Sequence, residues 1–262
     1  MKIINQSVEL IERGKSSPSE FVELCAKNCY KSNLTTSEEQ RINFITSLVR
    51  RGHTSVFEHC GIYLKYTYGY VRTRFSYFLK NPYTVIKKKD GMCYIYTNLR
   101  VIVENDIDLF ERIILDKPTV SYFEPEKNDP NRIVTFRIIT DHGQERSFLR
   151  HRYNSFTIES TRFINYLKKL GITFITWQGQ DKNAWIYKLS CKISAYLYKL
   201  LIKRGETPEI ARTVLTLGHK TDIIMSAPIC KWNNFFDLRL DKSAHFQIKE
   251  LALKMYDLIQ NL

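Results

Sequence analysis

The sequence predicts an α+β fold, a single domain in which a mainly antiparallel sheet is packed by long helices. Three observations carry this expectation. Segments with capping residues and apolar positions at helical spacing recur along the chain, whereas residues 60–68 and 134–139 alternate apolar and polar side chains with the period of a half-buried strand. Neither a P-loop nor a G-x-G-x-x-G turn occurs among only ten glycines, so a glycine-built phosphate cradle is excluded. At 262 residues, 44% of them hydrophobic, the chain can bury a full core.

Taken in order, Ser17-Pro18-Ser19-Glu20 supplies the N-cap, the N1 proline and the N3 carboxylate of a capping box, and Phe21, Leu24, Cys25 and Ala26 give the helix an apolar face. Ser37-Glu38-Glu39-Gln40 opens a second helix, with Ile42, Ile45, Leu48 and Val49 as its stripe and Gly52 as its stop. In the strand that follows, Ile62, Leu64 and Tyr66 oppose Tyr63, Lys65 and Thr67. Residues 71–132 break this regularity and read as inserted. They hold a turn at Asp90-Gly91 between strand-like runs, a short helix capped by Asp108 to Glu111 and ending near Asp116, and a loop punctuated by Pro118, Pro125 and Pro130. The interleaved aromatic and basic residues from Tyr68 to Phe78 read as a half-buried edge strand.

Regularity returns at the strand with Val134, Phe136 and Ile138. Asp141-His142-Gly143 then turns the chain into a helix from Gln144 to Arg152. Gly171 to Phe174 enters another strand. A long helix spans Lys182 to Lys203, with Ile186, Leu189, Ile193, Leu197 and Leu200 expected to face inward and Gly205 ending it. Thr207-Pro208-Glu209 starts the helix that carries Arg212. Polar and apolar residues alternate from Cys230 to Leu240, and the last helix follows Ser243 with Ala244, Ile248, Leu251, Met255 and Leu258 packed.

Forty Lys and Arg against 27 Asp and Glu leave a net charge of +13, which favours anionic partners: nucleic acid, phosphorylated small molecules or an acidic surface. The first fifteen residues lack the apolar core of a signal peptide, and no run approaches the roughly 20 apolar residues of a membrane helix, so a cytoplasmic protein without membrane association is expected. Six scattered cysteines form no C-x-x-C pair and read as free thiols. His53 and His59 have no third ligand at a regular spacing, so no metal is expected.

The stretch from Arg150 to Phe163 is dense in anion-binding groups, placing Arg150, Arg152 and Arg162 with His151, Ser155, Thr157, Glu159 and Ser160 in fourteen residues. Close guanidiniums repel unless an anion sits among them, and the planar fork of arginine pairs bidentately with phosphate or with the edge of a ring. Arg212 and Arg239 extend the set. Ser160 lies near His151, but without a nucleophile elbow and among charges that suit an anion it reads as a binding group.

Arg150-His151-Arg152, seven residues, then Ser160 resembles the signature of the flavin-dependent thymidylate synthases. Gly52 to His59 is similar to that family's first flavin-contact segment, Glu209 to Leu215 to its arginine-bearing helix, and Asn234 to Arg239 with Ala244 to Ile248 to its C-terminal block. The resemblance covers most of the chain except 71–132. It implies binding of deoxyuridine monophosphate (dUMP) by Ser147, Arg150, Glu159, Ser160, Thr161, Arg162, Arg212 and Arg239. It implies contacts to FAD from His53, Ser55, Glu58, Arg150, His151, Arg152, Thr157 and Asn234. Arg239 would be the catalytic residue, set against the pyrimidine edge. The implied reaction is reductive methylation of dUMP to dTMP with methylenetetrahydrofolate and NADPH as co-substrates, in a homotetramer with no nucleic acid partner.

Three features depart from the family pattern. Ile158 stands where a carboxylate is usual. Pro228 and Cys230 replace an Asn-x-Arg pair, with Lys231 as a partial substitute. The span from His59 to Arg150 (150 − 59 = 91 residues) exceeds the usual hairpin. The same arginines also fit two other readings, a basic nucleic-acid-binding protein whose affinity falls with salt and a nucleotide-binding relative without catalysis.

Overall fold

The computed structural model describes residues 1–14, 16–176 and 183–262. Two short strands, β1 (Lys2–Asn5) and β2 (Ser7–Ile11), precede α1 (Pro18–Tyr30). Both hydrogen bonds of the expected capping box form: Glu20 N–H donates to Ser17 Oγ, and Ser17 N–H donates to the Glu20 carboxylate. Helix α2 (Glu38–Arg50) starts at Ser37 as expected, and Gly52 leaves it with φ +71°. A 3-10 turn, Thr54–His59, leads into β3 (Gly61–Thr67), whose Ile62 and Leu64 are fully buried.

The expected edge strand from Tyr68 to Phe78 is instead helix α3 (Tyr68–Arg74) and a 3-10 turn, Ser76–Leu79. Thr67 caps α3 through its side chain, and the aromatic residues fold inward on Phe75, which is wholly buried. The turn at Asp90-Gly91 joins β4 (Val85–Lys89) to β5 (Met92–Asn98), and both turn residues have positive φ, as a type I′ hairpin requires. Helix α4 (Leu99–Asn105) leads to α5 (Ile107–Ile114). The cap of α5 is Asp106, which accepts from Leu109 N–H at 3.0 Å, rather than Asp108, which lies inside the first turn.

Strand β6 (Ile133–Asp141) runs into α6 (His142–Phe148), capped by Asp141. The helix expected to reach Arg152 ends four residues earlier. Bonds from His151 N to Phe148 O and from Asn154 N to His151 O wind the Arg-His-Arg segment into tight turns before β7 (Ser155–Ile158). Strand β8 (Thr173–Thr176) precedes α7 (Ala184–Lys203), and the expected helix start at Lys182 lies outside the described residues. Helix α8 (Pro208–Ala211), β9 (Lys220–Pro228), α9 (Ile229–Arg239) and α10 (Phe246–Gln260) complete the chain.

The antiparallel expectation holds for most pairings, but among the described residues the strands form three sheets rather than one. Four antiparallel strands in the order β2-β6-β9-β7 make the largest sheet, β3-β5-β4 a second, and the parallel pair β1-β8 a third. Strand β9 went unrecognised in the sequence because seven of its residues, Thr221 to Ala227, are buried in a row and show no alternation. It pairs along its whole length with β6, so Phe136 and Ile138 share one apolar layer with Ile223, Met225, Trp232 and Phe235. A second cluster joins α1, α2 and the β3-β5-β4 sheet, which ties residues 71–132 into a common core with the 3-10 turn at 54–59. A third lies under α7.

The face of α7 is the largest departure from expectation. Cys191, Ser194, Ala195 and Tyr198 point inward onto Ile164, Tyr166 and Phe174, while Ile186, Leu189, Ile193 and Leu197 face outward, with Ile193 51% exposed. Both stripes repeat at helical spacing, so periodicity alone could not choose between them. Among the described residues no helix is long and apolar enough to cross a membrane.

Candidate active site

The end of α9 and the turn after α6 meet at Arg239. Its Nε–H donates to His151 Nε2 at 2.8 Å and its Nη2–H to Ser147 O at 2.7 Å. An imidazole nitrogen that accepts from a guanidinium carries no proton, so His151 is neutral here, with its hydrogen on Nδ1. Burial first, and the charge of Arg239 second, lower its pKa to about 4. The edge of the ring rests on Phe235, centroids 4.7 Å apart. Arg239 itself is pushed down by burial and then by Arg150, a second guanidinium close enough to repel it. Arg150 and Arg152 are exposed, and neither has a carboxylate partner among the described residues.

Strand β7 positions the next group. Its pairing with β9 turns Phe156 and Ile158 onto the apolar layer under α9 and α10, so the isoleucine found in place of a carboxylate is a packing residue. Thr157 points to the other face, where its hydroxyl pairs with His59 Nε2 at 2.9 Å. His59 Nδ1 pairs in turn with Ser226 Oγ at 2.7 Å, and Ser226 with Thr135 Oγ1 at 2.7 Å. This buried chain locks the 3-10 turn to the sheet, which makes His59 a structural residue. His53, which precedes the turn, and Ser55 on it are exposed.

Beyond β7, Glu159 N–H donates to Asp222 O and Ser160 N–H to Cys29 O at the end of α1. The chain then presents Thr161, which accepts from Arg212 Nη1 at 3.0 Å, and Arg162, whose Nε is 2.8 Å from Glu209 on α8. Sequence reasoning grouped Ser160, Thr161, Arg162 and Arg212, and the fold brings them together. Glu159 differs, because its carboxylate is wholly buried among Tyr166, Lys220 and Lys31. Asn234 and Lys231 are exposed on α9, and Lys231 lies over the Tyr153 ring at 5.0 Å.

Sequence reasoning missed Arg100. From α4, inside the least readable segment, it pairs with Glu58 of the 3-10 turn and donates from Nε to Glu104 at 2.7 Å, while Thr54 Oγ1 donates to Glu104 at 2.9 Å. No local pattern marks a pairing across 42 residues. Among the described residues no three His, Cys, Asp or Glu side chains gather as a metal would need, and all six cysteines are free. Arg150 and Arg152, exposed on either side of the neutral His151 and without carboxylate partners among the described residues, are suited to anions.

A family model described as thymidylate synthase complementing protein matches residues 132–262, half of the chain. The chain is 35% identical over 114 residues to a flavin-dependent thymidylate synthase of Pyrococcus furiosus, covering 42% of this chain and 46% of that protein. Proteins of the same description from Sulfolobus acidocaldarius and Geobacter sulfurreducens are 32% identical over 118 residues and 26% over 117. These matches cover 44% of this chain in both cases, and 44% and 50% of the two relatives. The chain thus spans about half the length of the relatives it matches.

Proposed function

Since the chain belongs to the thymidylate synthase complementing protein family, we propose that it converts dUMP to dTMP by reductive methylation, with methylenetetrahydrofolate as one-carbon donor, NADPH as reductant and bound FAD. The observation that carries this reading is the convergence of Arg150 and Arg239 with no carboxylate paired to either among the described residues. A half-buried guanidinium that a second, exposed guanidinium repels is stabilised by an anion, and dUMP and FAD are both anions. In this reading Ser147, Arg150, Ser160, Thr161, Arg162, Arg212 and Arg239 hold the nucleotide. His53, Ser55, Glu58, Arg150, His151, Arg152, Thr157 and Asn234 line the flavin side. Bound flavin supplies the hydride chemistry.

The chain's own contribution is orientation and charge. His151, kept neutral, accepts from Arg239 Nε and fixes the plane of the guanidinium, and Ser147 O fixes its rotation. Nη1, which has no bond inside the chain among the described residues, is left to donate to the pyrimidine edge. A fixed positive charge there favours ionisation at N3 and stabilises negative charge built up in the ring. Arg100 neutralises Glu58 beside an anionic cofactor, so Arg100→Ala is expected to weaken FAD binding about two- to fivefold, with recovery when Glu58→Gln is added. Unchanged flavin affinity in a fluorescence titration would remove Arg100 from this role.

The outward stripe of α7 supports assembly as a homotetramer, with residues 71–132 as an addition that braces the flavin-side turn. Each large apolar side chain on that stripe gains about 1.5–3 kcal/mol when covered. Ile193→Glu should therefore reduce the mass measured by light scattering to that of a smaller species, and an unchanged mass would place the interface elsewhere. The reading as a whole is tested by the purified protein's visible spectrum and by dTMP formation dependent on dUMP, methylenetetrahydrofolate and NADPH. A colourless preparation that takes up no FAD and shifts an oligonucleotide would overturn it in favour of nucleic-acid binding.

A further inference from the structure

The residues just behind Ser160 to Arg162 form a buried ionic cluster that none of the ligand assignments uses, apart from Glu159. Glu159 Oε1 accepts from Tyr166 OH at 3.0 Å and Oε2 from Lys220 Nζ, with Lys31 Nζ 3.7 Å away. Lys31 also bonds Asp222 and donates to Asn28 Oδ1, and Arg137 Nη2 reaches Asp222 Oδ2 at 2.8 Å. The side chains of Glu159 and Asp222 are 0% and 1% exposed. Burial alone would raise the Asp222 carboxyl, but the bond from Arg137 and the charge of Lys31 outweigh it and hold it below the usual carboxylate range.

Resting on the reading of this loop as the dUMP site, we propose that Glu159 and Lys220 are positioning residues that aim Ser160, Thr161 and Arg162 at the nucleotide. Both oxygens of Glu159 are engaged inside the protein, so the carboxylate has no free face to offer a ligand. Buried ions require good geometry, because each one left without its partner loses hydration without compensation. The side-chain cluster therefore pins residue 159 in place, while the backbone bonds to Asp222 O and Cys29 O pin residues 159 and 160. The side-chain restraint thus ends at residue 159 and the backbone restraint at residue 160, one residue before Thr161, where the contact with Arg212 begins. Three cations (Lys31, Arg137 and Lys220) are arranged around the two carboxylates, with Glu9 opposite Arg137 across the β2–β6 pairing.

The test is titration calorimetry of dUMP into the FAD-loaded protein. Lys220→Met and Glu159→Gln should each weaken dUMP binding by about tenfold, the double variant should be no weaker than the weaker-binding single, and FAD affinity should stay within about twofold. Lys220→Arg should recover most of the loss. If Glu159 touches dUMP directly, Glu159→Gln weakens binding while Lys220→Met does not, and the proposal falls. Thermal melts followed by circular dichroism check folding. Should Lys220→Met not fold, Tyr166→Phe, which deletes one hydroxyl, takes its place, with a loss of about two- to fivefold expected and no change counting as refutation. Wild-type protein that binds FAD but not dUMP overturns both the site assignment and this inference, whereas normal wild-type binding with unaffected variants overturns this inference alone.

Discussion

Arg239→Ala is expected to lower the rate of dTMP formation by about 10²- to 10³-fold at saturating dUMP while the visible flavin bands and the assembly persist. The size follows from the role proposed for the side chain. A donor aimed at charge that develops only in the reacting ring contributes to the transition state more than to the bound ground state, and the loss of one such donor is typically worth about 3 to 4 kcal/mol. The anchoring of the guanidinium is visible in the geometry. His151 and Ser147 O take two guanidinium hydrogen bonds and prevent the side chain from swinging into solvent. Arg239→Lys keeps the charge but has no planar fork to span His151 and Ser147 together, so it should recover only part of the rate. Single-turnover dTMP formation is the measurement, and near-normal turnover by Arg239→Ala would remove Arg239 from the chemistry.

How much of this was legible depends on whether the signal was local. The capping box at Ser17, the stop at Gly52 and the hairpin turn at Asp90-Gly91 were readable because a few adjacent residues determine each of them. The clustering of arginines from 150 to 162 was readable for the same reason, and the fold does place Arg212 against Thr161. What stayed hidden is what long-range packing decides. Glu159 has the chemistry of a ligand contact, but Lys220, 61 residues away, and Lys31, on a different element, claim its carboxylate. Arg100 sits in a stretch with no pattern of its own and matters only because α4 packs on the turn at 54–59. The α7 stripe shows that a sequence can mark an apolar face without saying whether the core or another chain covers it.

Acid should unfold the protein from higher pH than its carboxylates alone would dictate. Three histidines are almost wholly buried, with exposures of 1% for His59, 4% for His151 and 0% for His219. Burial is the main cause that lowers them, to about 3 for His59 and His219 and about 4 for His151, with Arg239 adding to the effect at His151 and His142 and Lys220 at His219. An exposed imidazole in the unfolded chain binds its proton near pH 6.5. Between 6.5 and about 4 the unfolded state therefore carries more protons than the folded one, and stability falls as pH falls through that window. Each histidine contributes a slope of roughly 1.4 kcal/mol per pH unit. Against a typical total of about 5–15 kcal/mol, two or three such groups are enough to unfold a domain within a few pH units. Asp222 works the same way but only below its ordinary value of 3.8, so the two contributions separate on the pH axis.

The three imidazoles do not cost the same to charge. His59 can donate from both nitrogens if the hydroxyls of Ser226 and Thr157 turn to accept, whereas a charged His151 would face Arg239. A charged His219 would find no acceptor among the described residues, where neither ring nitrogen has a partner and its ring neighbours are Tyr166, Phe174 and His142. Urea midpoints measured from pH 7 to 4.5 should fall steadily, with a proton uptake on unfolding that rises towards three. His59→Gln, which can still bridge the two hydroxyls, should reduce that uptake by one and flatten the slope. A midpoint that stays level across this range would mean that the imidazoles are hydrated in solution and that the buried chain from Thr135 to Thr157 does not hold the turn at 54–59.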